Sequence, residues 1–343
     1  MTNTGINLSR RSFTRAGGAL LLGGLAAPAL ASCGNGGSGS AGSGSSTLKL
    51  GYNTTKTYPH GQIMERFAKN VSDTTGGETK IQTYPDATLG DETQMLEGMQ
   101  LGTVDMAKAI TSVLASVIPA FGAFDLPYLF RDKDHMFTVL NGNIGADLFD
   151  QMEAKGLKGL YWMDQGTRNF YTLDRAINSM EDLDGLKIRA IEAPVMLDTL
   201  KAFGASPTPM PFSELYVALQ THVVDGAENS PDALVSAKHH ELVKHYAETE
   251  HFRTPVLVYM SKDKWDGLST DQQTAITDAA TEATDWGADL YEKEAATAVE
   301  TMREAGIEIT TPDLEPFREA TQSVYDKHAD TIGADLIDAI RNA

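Results

Sequence analysis

Between Ser269 and Gly306 the chain has no proline, and Ile276, Ala280, Ala283, Trp286, Leu290, Ala298 and Met302 recur at helical spacing. Ser269 is a suitable N-cap for the run. A helix of that span is about 50 Å long, which is more than one ordinary domain needs. This single element therefore constrains the fold most: it is expected to span two lobes. The alternative is a break into two helices near Gly287.

Upstream the sequence alternates between strand and helix patterns, the signature of an α/β architecture. Strands are expected at Thr47–Asn53, Thr79–Tyr84, Val104–Ile110, Leu157–Met163, Arg168–Leu173, Leu186–Ile191, Ser206–Met210 and Val256–Met260. Amphipathic helices are expected at about His60–Ser72 and from an Asp91 cap through Gln100. The folded body, from about Thr47 to Ala343, is long enough for two domains at roughly 100–200 residues each. No fixed-period repeat occurs in it.

The N-terminus reads as an export signal rather than as part of a fold. Arg10, Arg11 and Arg15 stand in a head without acidic residues, followed by an apolar Gly/Ala-rich stretch from Ala16 to Ala31. That stretch is short for a membrane span of roughly 20 apolar residues and fits a secretory signal. Ser9-Arg10-Arg11-Ser12-Phe13-Thr14-Arg15 resembles a twin-arginine signal, and Leu30-Ala31-Ser32-Cys33 resembles a lipobox with Cys33 as the lipidated residue. Residues 34–46, GNGGSGSAGSGSS, form a Gly/Ser tether. Cys33 is the one cysteine, so no disulfide is expected within the chain. The expected localisation is extracytoplasmic, anchored to a membrane by lipid.

Composition excludes several functions. The net charge of −19 includes the three signal arginines, so the body is more acidic still, which argues against nucleic acid as a partner. An anionic ligand would need a local basic pocket. His239-His240-Glu241-Leu242-Val243-Lys244-His245 fails as a zinc motif: His240 and His245 do not share a helical face, and a solvated helical face is the expected setting. The Gly/Ser tract lacks the Gly-Lys-Ser/Thr ending of a phosphate loop. No catalytic residue, metal site or cofactor is expected.

Residues 164–231 differ from the rest of the chain. They contain Gly166-Thr167-Arg168-Asn169-Phe170-Tyr171, Asp184-Gly185-Leu186-Lys187-Ile188-Arg189, Gly204-Ala205-Ser206-Pro207-Thr208-Pro209-Met210, a run from Phe212 to Gln220, and Val224-Asp225-Gly226-Ala227-Glu228-Asn229-Ser230-Pro231. Arg189 ends an apolar strand just before a Pro-initiated helix, where a guanidinium can take a carboxylate through two parallel hydrogen bonds. A structural ion pair is the other reading of an arginine there. In this order, with Tyr84-Pro85, Leu89-Gly90-Asp91, Asp125-Leu126-Pro127-Tyr128 and Pro312-Asp313-Leu314, these segments resemble the solute-binding proteins of tripartite ATP-independent periplasmic (TRAP) transporters, the DctP-like family. The likeness covers about residues 47–335.

The resemblance implies a two-lobed periplasmic-binding-protein-like α/β fold with hinge strands, a long bridging helix and a ligand held in the cleft between the lobes. The expected divisions are 1–32 signal, 33–46 lipidated Cys33 and tether, 47–165 plus 255–294 lobe I, and 166–254 plus 295–343 lobe II. It also implies Arg189 as the main carboxylate clamp, Arg168 as a second cationic contact, Asn229 as a ligand-side amide and Phe212 as an aromatic wall, with Asn53 and Asp91 on the opposite lobe. Trp162 and Tyr216 are candidates for the cleft wall or for plain core, and Glu214 is a candidate partner for a nearby arginine. Glu192 and His60 add polar groups suited to ligand hydroxyls. The expected partners are a small carboxylate ligand and the membrane subunits of a TRAP transporter, with the chain itself a monomer. A sugar acid or other hydroxylated carboxylate is favoured over a dicarboxylate or keto acid. A sensor-coupled receptor and a cleft enzyme acting on organic acids are the other classes.

Overall fold

The computed structural model describes residues 46–343. The signal, Cys33 and all of the tether but Ser46 lie outside the described residues. Eleven strands alternate with helices: β1 (Ser46–Gly51), β2 (Thr79–Tyr84), β3 (Met106–Ile110), β4 (Leu157–Met163), β5 (Thr167–Thr172), β6 (Lys187–Ala190), β7 (Ser206–Pro209), β8 (Gly226–Asn229), β9 (His245–Arg253), β10 (Val256–Ser261) and β11 (Glu308–Thr310). They form two sheets, ordered β2-β1-β3-β10-β4 and β11-β9-β5-β8-β6-β7. Each sheet mixes parallel with antiparallel pairs: β10 runs antiparallel between β3 and β4, and β5 runs antiparallel between β8 and β9. This is the expected two-lobed α/β architecture.

The central strands of each sheet are buried on both faces. In the first, alternate residues divide the core: Ala107, Ala109, Trp162 and Leu257 lie in one cluster, and Leu48, Leu50, Met106, Ile110 and Val258 in another. The second sheet likewise separates Tyr171, Ala227 and Tyr246 from Phe170, Ile188 and Ala247. Side chains of period two reaching two hydrophobic layers explain why the strands read as apolar runs.

The long helix is continuous from Thr270 to Glu304, capped by Ser269 through a reciprocal bond with Gln272. No break occurs at Gly287. A Cβ there would lie 2.8 Å from Ile63 Cδ1, so the glycine allows close approach to helix Pro59–Thr74. Ile276, Ala279, Ala280 and Ala283 pack in the first sheet's cluster, whereas Met302 packs in the second's. The helix thus serves both lobes, as its length requires.

Two short linkers also cross between the sheets, β4 to β5 and β9 to β10. They are tied together by Asp164, whose carboxylate accepts from Arg253 Nη1 at 2.7 Å and from the Gly166 amide at 2.9 Å. Tyr291, on the long helix, donates to the Gln165 carbonyl oxygen and lies 2.6 Å from Asp232 Oδ1. The bridging helix is therefore fastened to a linker by a buried hydroxyl.

The last helices depart from the expected division, which places all of 295–343 in lobe II. Phe317 does join the second sheet's core. Val324, Tyr325, Ile332, Ile337 and Ile340, on helices Gln322–Ile332 and Ala334–Arg341, instead pack with Phe121 and Phe124 of the first lobe. Among the described residues no helix is long and apolar enough to cross a membrane.

Candidate functional site

A cavity of about 440 Å³ opens between residues of both sheets. Its floor on the second sheet comes from the ends of three adjacent strands. Arg168 lies on β5, Arg189 on β6 and Asn229 on β8, all buried. Asn53, Asp91, Glu92 and Lys108 face them from the first lobe. Of the eight residues expected to bind ligand, seven line this cavity: Arg189, Arg168, Asn229, Phe212, Asn53, Asp91 and Glu192.

Arg189 is 3 % exposed. Its Nε donates to the Met210 carbonyl oxygen at 3.0 Å, which fixes the guanidinium plane. The Phe212 ring stands 5.8 Å from its central carbon. Neither terminal nitrogen has a hydrogen-bond partner among the described residues, and no carboxylate lies within ion-pair distance. Burial pushes its pKa down to about 10, only partly offset by the charge of Glu228. The expected alternative, a structural ion pair, is absent here. What remains is a desolvated cation with a free fork of donors.

Arg168 is different. Its guanidinium meets Glu228 twice, Nε to Oε2 at 2.5 Å and Nη2 to Oε1 at 2.8 Å, and also donates to the Glu228 carbonyl oxygen at 2.9 Å. Both side chains are 1 % exposed. Arg168, expected as a second cationic contact, lines the cavity with its charge already paired to a buried carboxylate. It also orients a neighbour. Nη1 donates to Asn229 Oδ1 at 3.1 Å, and that oxygen also accepts from Gln165 Nε2 and the Ser230 amide. With its oxygen so occupied, Asn229 presents its NH2 as a donor.

On the first lobe, Lys108 Nζ donates to Glu92 Oε1 at 2.7 Å and to Asn53 Oδ1 at 3.3 Å. Asp91 caps helix Glu92–Gln100, its side chain accepting from the Gln94 amide at 2.9 Å. Its carboxylate is therefore partly occupied. Glu192 is exposed at the rim. Neither Lys108 nor Glu92 was singled out as a ligand contact from sequence. A lysine within an otherwise apolar strand (Met106–Ile110) is the signal that could have found Lys108; nothing comparable marks Glu92.

Three other expectations are corrected. His60 is fully buried and does not line the cavity: Tyr58 and Tyr291 enclose its ring, and Nε2 meets the Asp164 carbonyl oxygen at 2.7 Å. Residues 239–241 form a 3-10 turn rather than a solvated helix, because β9 starts at His245. His239 is buried in the cavity wall, edge-on to Phe212 and 3.0 Å from the Tyr171 hydroxyl. Glu214 is exposed and makes no ion pair among the described residues. Of the two aromatic candidates, Tyr216 lines the cavity, whereas Trp162 is core, stacked on Phe149 at 4.8 Å.

The family model for bacterial extracellular solute-binding protein, family 7 (DctP), matches residues 50–331. The 2,3-diketo-L-gulonate-binding periplasmic protein YiaO of Escherichia coli K12 is 35 % identical over 300 residues, covering 86 % of this chain and 92 % of its own. A TRAP periplasmic solute-binding protein from Sulfitobacter sp. NAS-14.1, solved with bound β-D-galacturonate, superposes with a TM-score of 0.84 at 31 % identity, covering 87 % of this chain and 100 % of that one. The sugar-acid-binding protein DctPAm of Advenella mimigardefordensis, solved with galactonate, gives 0.85 at 30 % identity, covering 87 % and 97 %.

The charge pattern separates two arginines that look alike in sequence. Removing one member of a buried ion pair costs about 3–5 kcal/mol. Glu228→Leu is expected to lower the unfolding free energy of the ligand-free chain on that scale in urea titrations. Arg189→Met, which removes an unpaired buried charge, is expected to leave it within about 1 kcal/mol or raise it. Equal losses in both would contradict the assignment of Glu228 to Arg168.

Burial, then the charge of Lys108, pushes the His60 pKa down to about 3 from 6.5. Across that window the unfolded chain binds a proton that the folded chain refuses. The contribution to stability is therefore complete above the unfolded value and falls with acidification, by about 1.4 kcal/mol per pH unit. His60→Gln is expected to flatten the stability profile between about pH 6 and pH 4 by an increment of that order.

Proposed function

We propose that this chain, which belongs to the bacterial extracellular solute-binding proteins of family 7, captures a hydroxylated monocarboxylate of sugar-acid size for a TRAP-type transporter. One observation carries the reading: of the three buried cations lining the cavity, only Arg189 lacks a carboxylate partner. A ligand carboxylate that meets its terminal nitrogens in a two-point contact supplies the missing charge. A second ligand carboxylate would find Arg168 held by Glu228 and Lys108 by Glu92. Hydroxyls, by contrast, meet the Asn229 amide, Asn53, and acceptors at Asp91 and Glu192. The uronate and aldonate bound by the two structural neighbours support the same class. Contacts from both lobes to one ligand would favour closure about the two linkers.

Two sequence features extend the reading to the cell. The twin-arginine text and the lipobox-like Leu30-Ala31-Ser32-Cys33 support export and lipid attachment at Cys33, with the Gly/Ser tether holding the body off the membrane. Intact-mass measurement of the mature chain from membranes is expected to show diacylglycerol on a chain beginning at Cys33. A mature chain cleaved elsewhere and freely soluble would remove the anchor from the proposal.

Calorimetry against uronates, aldonates, keto acids and dicarboxylates tests the main reading. Tight binding is expected for a hydroxylated monocarboxylate, without turnover. Arg189→Ala is expected to weaken it by at least about 100-fold, and Arg189→Lys by about tenfold or more because a point charge replaces the planar fork. Tight binding only to succinate-like acids would sink the proposal.

A further inference from the structure

The lobe opposite Arg189 holds a buried cation of its own, already paired. Lys108 is buried within β3, 3 % exposed, and lines the cavity. Its ammonium has three N–H donors. Glu92 Oε1 takes one at 2.7 Å and Asn53 Oδ1 another at 3.3 Å. Glu92 is itself placed by the fold: it is the first residue of its helix, and its second oxygen accepts from the Ile110 amide at 3.3 Å. The pair is therefore fixed on both sides, net neutral, and has one ammonium hydrogen without a partner among the described residues.

Buried polar groups are normally hydrogen-bonded, and because Lys108 lines the cavity a ligand oxygen there can take the remaining donor. From this geometry we infer that Lys108 is a specificity-determining contact, donating its third hydrogen to a hydroxyl at the end of the ligand remote from the carboxylate on Arg189, while Glu92 keeps that subsite from taking a second carboxylate. The two lobes then divide the work by charge. β6 of the second sheet presents one unpaired cation and accepts one anion. β3 of the first sheet presents a neutralised cation and accepts a neutral oxygen. A carboxylate at the remote end would lie beside Glu92 with no free positive charge to offset it, and like charges in a desolvated site repel strongly. The same lysine without its partner would invite that second carboxylate. Selection between aldonates and aldarates thus rests on Glu92, a residue that need not touch the ligand.

This inference rests on the sugar-acid reading, and the test is arranged to separate the two. Calorimetry is run with matched pairs that differ only at the terminal carbon, D-galactonate with galactarate and D-gluconate with D-glucarate. The quantity read is the ratio of diacid to monoacid affinity, so that effects common to both ligands cancel. Glu92→Gln is expected to raise that ratio at least tenfold, by uncovering the charge of Lys108. Lys108→Met is expected to lower it at least tenfold, by leaving the Glu92 carboxylate alone at the same end. The opposite signs keep the test informative if one variant folds poorly. A wild-type chain that binds a monoacid, with a ratio unmoved by either folded variant or moved in the reverse sense, overturns the role of the pair and leaves the sugar-acid reading standing. A wild-type chain that binds no sugar acid overturns both.

Discussion

A guanidinium taken out of water without a counter-charge is a costly object, and the cavity between the lobes is organised around the one at Arg189. An isolated buried charge costs several kcal/mol even after relaxation. Here the backbone carbonyl of Met210 satisfies one donor, the Phe212 face covers one side, and the neighbouring charges are cancelled in pairs. His239 stays neutral beside it, its pKa pushed down to about 3 by burial and then by Arg189 itself. Each of these choices keeps positive charge from accumulating while leaving the two terminal nitrogens free. On the proposed reading that cost is recovered when an anion arrives, which would make the site selective for one.

The architecture explains how such a centre is built from distant residues. Arg168, Arg189 and Asn229 are far apart in sequence, but β5, β8 and β6 are neighbours in one sheet, so their ends converge. Arg168 is tied to its neighbour strand: Glu228 and Asn229 on β8 accept its donors, and Asn229 in turn turns its amide toward the cavity. The opposite wall comes from β3 and the helix that Asp91 caps. Asp164, Gln165, Arg253 and Tyr291 join these two halves through the linkers and the long helix.

Much of this was legible in the sequence, for identifiable reasons. The long helix declared itself by spacing, by an N-cap and by the absence of proline. Arg189 stood out through the family resemblance, since a charge closing an apolar strand is by itself equally compatible with a structural ion pair. The C-terminal helices were not, because periodicity shows that a helix has an apolar face but not which core receives it. β9 (His245–Arg253) escaped detection because its buried positions hold Thr249 and His251 beside Tyr246 and Phe252, so no apolar run marks it. Missing that strand placed His239 on a surface helix. His60 sat next to a predicted strand and a Pro-initiated helix, and sequence could not tell that two tyrosines close around it. The pairing of Arg168 with Glu228 was hidden for a general reason: register between strands far apart in the chain is a property of the whole sheet.

The rim of the cavity carries Asp86, Asp91, Glu97 and Glu192, in a chain whose net charge is −19. An approaching anion therefore climbs a repulsive potential before it reaches Arg189. Such a field slows association rather than speeding it, and screening by salt relieves it over a Debye length of about 8 Å at physiological ionic strength. For the anionic ligand proposed, affinity would then rest on slow release, held by contacts inside the cleft, rather than on fast encounter. Capture of such a ligand would quicken as the medium becomes saltier, so the acidic surface would set the ionic conditions that favour it.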